Sequence, residues 1–268
     1  MPAPRTVVVT GSSSGIGEAC ALRLVAAGGV RSPEAGELLR GRGIEPLELD
    51  VTNAEQIAAA AQTVGDSLDG LVDNAGIAIA APLELVPIDE LRHQLEVNVV
   101  GQVAVTQAFL PALRRAQGRI VLMGSIGGRS ALPFLGPYAA SKHALEAIAD
   151  SLRVELRPWG IAVSIVEPAS IKSGIWAKGA SRADEMRAEL PDESQLLYAS
   201  AIEKFKQVAL SRGPGGDPDA VAKAVEHALT ARRPKARYLV GRDAHVRAWI
   251  ERLPTGVRDR VLARILTD

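Results

Sequence analysis

A glycine-rich turn between an apolar run and a helical pattern constrains the fold of this chain most. Residues 6–10 are β-branched and apolar, which is typical of a buried parallel strand, and helical spacing begins at Glu18. Glycines in such a turn let the backbone approach a pyrophosphate, and the helix N-terminus supplies donors and a positive dipole. The pattern predicts a dinucleotide site, and a tight turn without a ligand is the alternative. The turn reads Gly11-Ser12-Ser13-Ser14-Gly15-Ile16-Gly17.

The spacing Tyr138-x-x-x-Lys142 predicts a proton-transfer pair. On a helix, residues four apart lie one turn apart on the same face. A free tyrosine has a pKa of about 10, and a cation within ~4–6 Å lowers such a pKa by roughly 1–3. We therefore expect Lys142 to make Tyr138 a proton shuttle near pH 7. Taken alone, the spacing also fits a surface pair on an ordinary helix.

Composition and charge exclude several classes of protein. At 268 residues the chain fits one large α/β domain. Its 31 basic and 31 acidic residues balance, which argues against nucleic-acid binding. Cys20 is the one cysteine, so an internal disulfide is impossible and a reducing, intracellular setting is favoured. Because we find no signal-peptide pattern and no apolar stretch of ~18 residues, we expect a cytoplasmic protein.

Together, the glycine turn and Tyr138-x-x-Ser141-Lys142 resemble the short-chain dehydrogenase/reductase family. The resemblance extends from Thr6 to about Val240, nearly the whole chain. It implies one Rossmann-like domain over residues 1–268, an α/β fold with a doubly wound, mainly parallel sheet. Further motifs of the family recur in order: Asp50-Val51, Asn74-Ala75-Gly76, Asn98-Val99-Val100-Gly101, Ser125 and Pro168.

The resemblance implies four catalytic residues. Tyr138 would be the general acid/base, and Lys142 would lower its pKa and hold the nicotinamide ribose. Ser125, at the end of a predicted strand, would position and polarise the substrate oxygen. Asn98 would maintain a proton relay by holding a water that links the lysine to solvent. Because Asn98 lies in an apolar stretch, a core amide bonded to neighbouring backbone is the alternative.

The resemblance also implies the contacts to the cofactor. Asp50 would contact adenine, although a turn or a helix-capping role before Asn53 fits it as well. The chain departs from the family where Asp73 replaces an Asn, Ala169 replaces a Gly and Ser173 replaces a Thr. Ser173 keeps a hydroxyl for the nicotinamide amide or the pyrophosphate. The implied contacts are the residues of the glycine turn, Arg31, Asp50, Val51, Asn74, Ala75, Gly76, Tyr138, Lys142, Pro168, Ala169, Ile171 and Ser173.

The residue after the second strand distinguishes the two nicotinamide cofactors. Relatives that use NAD place an acid there to accept the ribose 2′-hydroxyl. Here the position holds Arg31-Ser32, and a guanidinium suits a 2′-phosphate. We therefore predict NADP(H), with NAD(H) as the alternative. The four histidines show no ligand spacing, so no metal site is predicted.

The second strand itself has little room. The first helix is predicted to end near Gly28 and the next begins after Ser32-Pro33, which leaves residues 28–32 between them. A strand of five residues spans about 17 Å and needs loops at both ends. Its loss would leave a gap near 10 Å between unpaired strands. We therefore expect residues to be missing from the written sequence between Gly28 and Val30, with a Cα–Cα separation far above about 3.8 Å.

The rest of the chain alternates strand and helix patterns. Segment 174–216 is interpreted, by resemblance, as a mobile cover over the substrate. The tail, 241–268, has a basic amphipathic pattern that fits packing on the domain, a subunit interface or a membrane surface. Predicted strands are 46–51, 71–74, 119–123, 161–166 and 237–240, and predicted helices are 34–42, 54–64, 87–115, 138–157 and 217–231.

The sequence thus predicts reversible hydride transfer between a nicotinamide cofactor and an alcohol/carbonyl pair. Ile175-Trp176 and the tail favour an apolar small molecule, such as a steroid, a retinoid or a lipid-derived alcohol, and a homodimer or homotetramer is expected. Two other classes remain open. A non-catalytic, nucleotide-binding regulator of the same fold is favoured by the damaged second strand. A sugar-nucleotide epimerase or dehydratase also uses Tyr-x-x-x-Lys, but it favours a Gly-x-x-Gly-x-x-Gly loop.

Overall fold

The computed structural model describes residues 6–211 and 215–267. Within these residues seven strands form one sheet: β1 (Val7–Val9), β2 (Ala27–Val30), β3 (Pro46–Glu48), β4 (Gly70–Asp73), β5 (Arg119–Met123), β6 (Ala162–Pro168) and β7 (Arg237–Val240). Every pairing among them is parallel, and the order is β3-β2-β1-β4-β5-β6-β7. Because the order changes direction between β1 and β4, the sheet is doubly wound. The predicted Rossmann-like α/β fold is confirmed.

Helices cover both faces of this sheet. Leu113 and Leu145 belong to the core under one layer, and Leu39 and Val225 belong to the core under the other. Strands buried on both faces explain why the sequence shows continuous apolar runs rather than alternation. The helices are α1 (Gly15–Leu24), α2 (Pro33–Arg40), α3 (Ala54–Val64), α4 (Ile88–Leu95), α5 (Gly101–Ala116), α6 (Gly136–Glu155), α7 (Gly174–Ala188), α8 (Asp192–Leu197), α9 (Ala199–Ser211), α10 (Pro218–Thr230), α11 (Arg242–Ile250) and α12 (Thr255–Thr267).

The predicted gap between Gly28 and Val30 is wrong, because these residues form β2. The strand lies between its expected neighbours, with Val9 opposite Gly28 and Val30 opposite Glu48. Its hydrogen bonds include Gly28 N to Glu45 O at 2.8 Å. The backbone runs through both junctions as one strand, so the sheet is complete without additional residues.

An early end of the first helix makes room for β2. The pattern predicts helix to Ala27, but α1 ends at Leu24 and Val25 turns the chain with φ 49° and ψ 49°. A β-branched residue in this left-handed conformation costs about 1–2 kcal/mol. The strand then uses two glycines where space is short. A Cβ on Gly28 would lie 2.6 Å from Leu39 Cδ1, and one on Gly29 would lie 3.2 Å from Thr10 Cα.

Other elements agree with the predictions to within a few residues at their ends. The long helix predicted for 87–115 is α4 and α5 joined by a π turn at Glu96–Val100. The helix predicted for 138–157 is α6, which starts earlier, at Gly136, so Tyr138 lies in its first turn. Residues 1–5 of the predicted domain, 212–214 of the predicted cover and Asp268 of the tail lie outside the described residues. In the part of the chain that the structure describes, we find no helix with the length and apolarity needed to cross a bilayer.

Candidate active site

The predicted site residues meet at one edge of the sheet, where the strands end. Gly11 comes shortly after β1, Asn74 directly follows β4 and Ser125 comes shortly after β5. Tyr138 and Lys142 join this edge from α6. Ligands of open α/β sheets bind at the carboxyl ends of the strands. The fold therefore gathers residues that are far apart in the sequence into one cleft.

The glycine turn has no room for side chains. Gly11 has φ +66°, and a Cβ there would lie 2.8 Å from Ala75 Cα. A Cβ on Gly17 would lie 2.2 Å from Gly11 O. Gly15 has φ +61°, and a Cβ there would lie 3.1 Å from Ser173 Cβ. Bare backbone at the N-terminus of α1, with Ser173 beside it, fits a pyrophosphate.

Ser12 differs from the other serines of the turn. Its hydroxyl donates to Val9 O at 2.7 Å, and its N–H donates to Gly29 O at 2.9 Å. Both donors are therefore used inside the protein. Ser13 and Ser14 are exposed at the same turn. Ser13 and Ser14 are therefore accessible to a ligand, whereas Ser12 anchors the turn to the sheet.

Asn74 and Thr10 lock the glycine turn to the end of β4. Asn74 Nδ2 donates to Thr10 O at 2.9 Å and to Gly11 O at 3.2 Å. Thr10 Oγ1 accepts from the backbone N–H groups of Asn74 and Ala75, both at 2.9 Å. A Cβ on Gly76 would lie 3.2 Å from Asn98 Oδ1. Asn74-Ala75-Gly76 therefore joins the cofactor turn to the catalytic side of the cleft.

Tyr138 and Lys142 lie side by side on α6, as the spacing predicts. Lys142 Nζ lies 5.8 Å from the centre of the Tyr138 ring. It also donates to Met123 O, at the end of β5, at 2.8 Å. Both side chains are buried. This arrangement excludes the surface-pair alternative.

Lys142 was expected to lower the pKa of Tyr138, but in the structure burial raises that pKa. The pKa of Tyr138 is raised from 10.0, chiefly because the ring is buried, while a hydrogen bond with Ser125 and the charge of Arg247 lower it. Burial lowers the pKa of Lys142 from 10.5 to about 8. Desolvation disfavours the charged form of each group. The expectation that Lys142 lowers the pKa of Tyr138 is therefore not met, and the phenol is protonated at neutral pH.

Ser125 lies directly against the catalytic tyrosine. Its Oγ accepts from Gly127 N at 3.0 Å, and it hydrogen-bonds the Tyr138 phenol. A Cβ on Gly127 would lie 3.3 Å from Tyr138 Cε1, so glycine at this position lets the ring approach. The hydroxyls of Ser125 and Tyr138 can therefore both hydrogen-bond the same substrate oxygen.

Asn98 sits fully buried in the π turn between α4 and α5. Its Oδ1 accepts from Ile77 N at 2.8 Å, and its Nδ2 donates to Ile77 O and to Ser141 Oγ, both at 3.0 Å. Ser141 Oγ donates in turn to Tyr138 O at 2.7 Å. The amide is thus satisfied by its neighbours, which matches the alternative interpretation. π turns in helices are frequent at functional sites.

The segment that leaves β6 borders both the turn and the cleft. Pro168 is the last residue of β6, and Ala169 N donates to Val240 O at 3.0 Å. Ile171 is buried and forms a bridge with Gly216. Ser173 lies at the N-cap of α7, against Gly15. These positions fit the family contacts carried over to them.

The predicted adenosine contacts lie at the ends of β2 and β3. Arg31 directly follows β2 and is exposed. The next residue, Ser32, caps α2 by accepting from Ala35 N at 3.4 Å. Asp50 Oδ1 accepts from Thr52 N at 2.9 Å, while Asn53 caps α3. Asp50 is therefore a turn residue and not the helix cap, and Val51 beside it is buried.

A mostly apolar cavity of about 640 Å³ opens in front of Ser125 and Tyr138. It is walled by the loop after β5 and by α7 and α9 of the predicted cover. The Trp176 ring lies 5.3 Å from the Tyr138 ring, edge on. Arg247, from α11, also lines it. The sequence contained no signal for Arg247, since its place depends on how the tail folds back.

A buried ion network under the site was likewise missed. Glu167, the penultimate residue of β6, has 0% of its side chain exposed. Arg129 Nε lies 2.6 Å from Glu167 Oε2, and Arg237 Nε lies 3.6 Å from Glu167 Oε1. Arg237 Nε also lies 3.1 Å from Glu146 Oε2, on α6. The sequence signal for this network was Glu167, an acidic residue directly after the apolar strand pattern of residues 161–166.

Two of the histidines, His143 and His227, pack away from the cleft. His143 Nδ1 lies 2.8 Å from Ala139 O, and His227 Nδ1 lies 2.8 Å from Tyr238 Oη. Among the described residues, no group of three or more His, Cys, Asp or Glu is placed to hold a metal ion.

Asp73, which replaces the family's Asn, is fully buried at the end of β4. Its Oδ2 accepts from Thr106 Oγ1 at 2.8 Å, and its Oδ1 has no hydrogen-bond partner among the described residues. Burial raises the pKa of this carboxyl from 3.8 to about 7, against the Thr106 hydrogen bond, which lowers it. The stability that Asp73 contributes is therefore present below about pH 4 and is lost as the pH rises through about 7.

Asp73→Asn is expected to stabilise the protein at pH 8 and to have little effect near pH 5. Asparagine keeps an acceptor for Thr106 but never ionises, so no charge is buried at high pH. The unpaired N–H groups of the amide limit the gain, since an unsatisfied buried donor costs roughly 1–3 kcal/mol. Urea unfolding midpoints from pH 5 to 8 measure the effect, with Asp89→Asn, at an exposed surface position, as the control. A stability difference that does not change with pH would contradict the prediction.

The chain is similar to known proteins in sequence and in structure. A family model described as short chain dehydrogenase matches residues 5–184. The NADPH-dependent 3-dehydrocapnine reductase of Ornithobacterium rhinotracheale is 35% identical, over 88% of this chain and 88% of that protein. The 17-beta-hydroxysteroid dehydrogenase type 6 of Homo sapiens is 36% identical, over 96% of this chain and 87% of that protein.

A solved structure shows the same architecture. The short chain dehydrogenase from Burkholderia cenocepacia J2315, crystallised in complex with NADP, superposes with a TM-score of 0.74. Its sequence is 27% identical, and the match covers 98% of each chain.

Proposed function

The chain belongs to the short-chain dehydrogenase/reductase family, and we propose that it interconverts an apolar ketone and its secondary alcohol with NADP(H). It is an NADP-dependent oxidoreductase that transfers hydride to or from a hydroxyl/carbonyl pair. The mostly apolar cavity in front of Ser125 and Tyr138 carries the proposal for the substrate class. A relative named for a steroid supports a steroid or another lipid-derived alcohol.

Tyr138 exchanges the proton in this mechanism. A bound nicotinamide supplies the hydride in reduction and accepts it in oxidation. Tyr138 donates its phenolic proton to the carbonyl oxygen during reduction and takes it back during oxidation. Burial raises the pKa of the phenol, so it is protonated at neutral pH, as a proton donor must be. Ser125 donates to the same oxygen and stabilises the charge that develops there.

Lys142 and Asn98 support the tyrosine. We assign Lys142 to the nicotinamide ribose, because it reaches the end of β5 beside the phenol. Its pKa of about 8 leaves it mostly charged near pH 7. The proton-relay role of Asn98 rests on the family resemblance, and its bonds to Ile77 and to Ser141 hold the amide in place beside the helix that carries Tyr138.

Turnover of a ketone panel tests the proposal. NADPH or NADH is mixed with the enzyme and with apolar and polar ketones, and absorbance at 340 nm is followed. We expect NADPH-dependent reduction of apolar ketones. A preference for small polar ketones would contradict the apolar substrate class, while consumption of no ketone or secondary alcohol would contradict the proposed reaction.

Arg31→Asp is expected to shift kcat/KM from NADP(H) towards NAD(H) by roughly tenfold or more. The guanidinium, next to the N-terminus of α2, suits a 2′-phosphate, whereas a carboxylate repels phosphate and accepts the 2′-hydroxyl. The ratio of kcat/KM for the two cofactors measures the shift. Arg40→Asp, on the exposed face of α2, is the matched control. An unchanged ratio in the Arg31 variant would mean that Arg31 does not face the adenosine ribose.

The regulatory alternative loses the feature that favoured it. Its basis was a damaged second strand, and β2 pairs with both β1 and β3. The Ser125, Tyr138 and Lys142 side chains also meet in one buried site, which a non-catalytic protein would not need.

We also propose that the chain forms a homo-oligomer through α5 and α6. A groove between them is lined by Leu110, Ile148 and Leu152, and Val154 on α6 is 72% exposed. Apolar residues of this size on a helix surface are typical of subunit interfaces. Light scattering after size exclusion measures the mass, and a monomer of 28.2 kDa at micromolar concentration would refute the proposal.

For the tail we propose a weak membrane-surface contact of a cytoplasmic protein. The helices α11 and α12 expose Val246, Trp249, Val257 and Val261 beside several arginines. Such a surface suits the headgroup region of anionic lipids. Cosedimentation with phosphatidylserine-containing vesicles tests the contact, and absence from the pellet at low salt would refute it.

A further inference from the structure

Aromatic residues are scarce in this chain but are concentrated at the substrate cavity. They make up 3% of the sequence, with three residues each of Phe, Tyr and Trp. Four of these nine line the cavity in front of Ser125. The cavity wall is therefore much richer in aromatic rings than the chain as a whole. The four residues are Phe134, Tyr138, Trp176 and Phe205.

Phe134 and Phe205 form a ring pair at this wall. Phe134 lies in the loop between Ser125 and Tyr138, and Phe205 lies on α9 of the predicted cover. Their ring centres are 5.6 Å apart and their planes make an angle of 88°, an edge-to-face geometry that aromatic rings favour. Both rings are half-buried, whereas the core ring of Phe109 is only 1% exposed. The pair therefore keeps part of its aromatic surface accessible.

The backbone of Phe134 is strained. Its φ is +65°, in the left-handed region that residues with bulky side chains seldom adopt. Glycine would adopt this angle without a steric cost. Strain of this kind persists where the surrounding structure fixes it, and it clusters at ligand-binding sites. A function of the ring therefore explains phenylalanine at this position better than the backbone does.

We propose that Phe134 and Phe205 bind an aromatic ring of the substrate, and so select aryl-substituted ketones over saturated ketones of similar size. A third ring beside the pair can make further edge-to-face or offset contacts, whereas a saturated ring has no π-system for them. Tyr138 lines the same cavity, so the carbonyl and the ring of one ligand can be bound together. This inference rests on the proposed ketone reduction and narrows its substrate class.

The probes are methyl ketones whose phenyl ring lies one to four methylene groups from the carbonyl, each paired with its cyclohexyl analogue. The methylene groups insulate the carbonyl from the ring, so the two members of a pair have similar intrinsic reactivity. Their kcat/KM ratio, measured with NADPH at 340 nm, therefore reports recognition of the ring. We expect the wild type to prefer the phenyl ketone in at least one pair.

Phe134→Leu and Phe205→Leu should each lower that phenyl-to-cyclohexyl ratio by about fivefold, the effect of one aromatic contact. Leucine meets the same backbone restriction as phenylalanine at position 134, so the exchange changes the ring and not the strain. Phe205→Tyr should keep the preference, because the ring remains. If Phe134→Leu does not fold, Phe205→Leu still tests the proposal.

Two controls separate aromatic recognition from cavity shape. Ile202→Ala enlarges the cavity from the same helix as Phe205 without removing a ring, so it should change both members of a pair alike. Trp249→Leu removes a ring that is 62% exposed and outside the cavity wall, and it should leave the ratio at the wild-type value. Equal or lower kcat/KM for the phenyl ketone in every wild-type pair, or an unchanged ratio in both leucine variants, would overturn the proposal.

A binding measurement separates this inference from the proposed function. If neither member of any pair is reduced, the proposed reaction fails for these ketones. Binding of each ketone to the protein with NADP⁺ is then measured by isothermal titration calorimetry. Tighter binding of a phenyl ketone to the wild type, with the advantage lost in Phe134→Leu or Phe205→Leu, supports the aromatic site. Equal binding of phenyl and cyclohexyl ketones to the wild type overturns it.

Discussion

Replacing Tyr138 with Phe is expected to lower kcat by about 10²–10⁴-fold while cofactor affinity stays close to the wild-type value. The ring is buried and packs edge on against Trp176, so phenylalanine keeps the packing. Only the hydroxyl is lost, and with it the proton donor to the carbonyl oxygen. Rates at 340 nm and NADPH fluorescence titrations measure the two quantities.

Tyr198→Phe is the matched control. Its hydroxyl donates to Glu84 Oε2 at 2.6 Å, on the outside of the cavity, so turnover should be nearly unchanged. If Tyr138→Phe kept more than about half of the wild-type kcat, another group would have to supply the proton. Loss of cofactor binding in that variant would point to a collapsed cleft instead.

The sequence predicted the parts of the site that depend on local patterns. The strands other than β2 read as apolar runs, and the residues that follow these runs lie at the carboxyl edge of the sheet. The sequence alone therefore places Ser125, Asn74 and the glycine turn together. The spacing between Tyr138 and Lys142 similarly depends only on the pitch of one helix.

The predictions failed where burial or a single backbone angle decided the outcome. The helix α1 ends because Val25 adopts a left-handed conformation. The sequence carries no signal for that conformation, since valine seldom adopts it. The effect of Lys142 on the pKa of Tyr138 was derived for a solvated pair, whereas burial raises it. Arg247 reaches the cavity only because the tail packs on the loop after β5. None of these could be obtained from residue spacing.

Arg129→Met is expected to destabilise the protein by about 3–5 kcal/mol at pH 7. Arg129 supplies the closest cation to Glu167, which is completely buried, and Glu146 lies in the same network. Burial and the charge of Glu146 already raise the pKa of Glu167, while Arg129 and Arg237 lower it. Without Arg129, Glu167 must either bury a poorly compensated charge or take up a proton. Urea unfolding at pH 7 measures the loss.

The sign of the pH dependence shows whether the Glu167 carboxylate causes the loss of stability in Arg129→Met. Losing Arg129 raises the folded-state pKa of Glu167 further, so stability should be retained below the unfolded pKa of about 4.5 and lost as the pH rises. The deficit should therefore shrink between pH 7 and pH 5. Adding Glu167→Gln to Arg129→Met removes the stranded charge and should restore much of the stability.

The control for this network is Arg92→Met, which breaks an exposed pair with Asp89 and should leave the unfolding midpoint almost unchanged. A similarly small effect of Arg129→Met would contradict the network as a source of stability. Arg129 also follows Gly128, where a Cβ would lie 2.8 Å from Lys142 O. The Arg129–Glu167 pair ties the loop after Ser125 to β6 at the point where the loop also approaches α6, so Arg129→Met should lower kcat even at temperatures where the variant is fully folded.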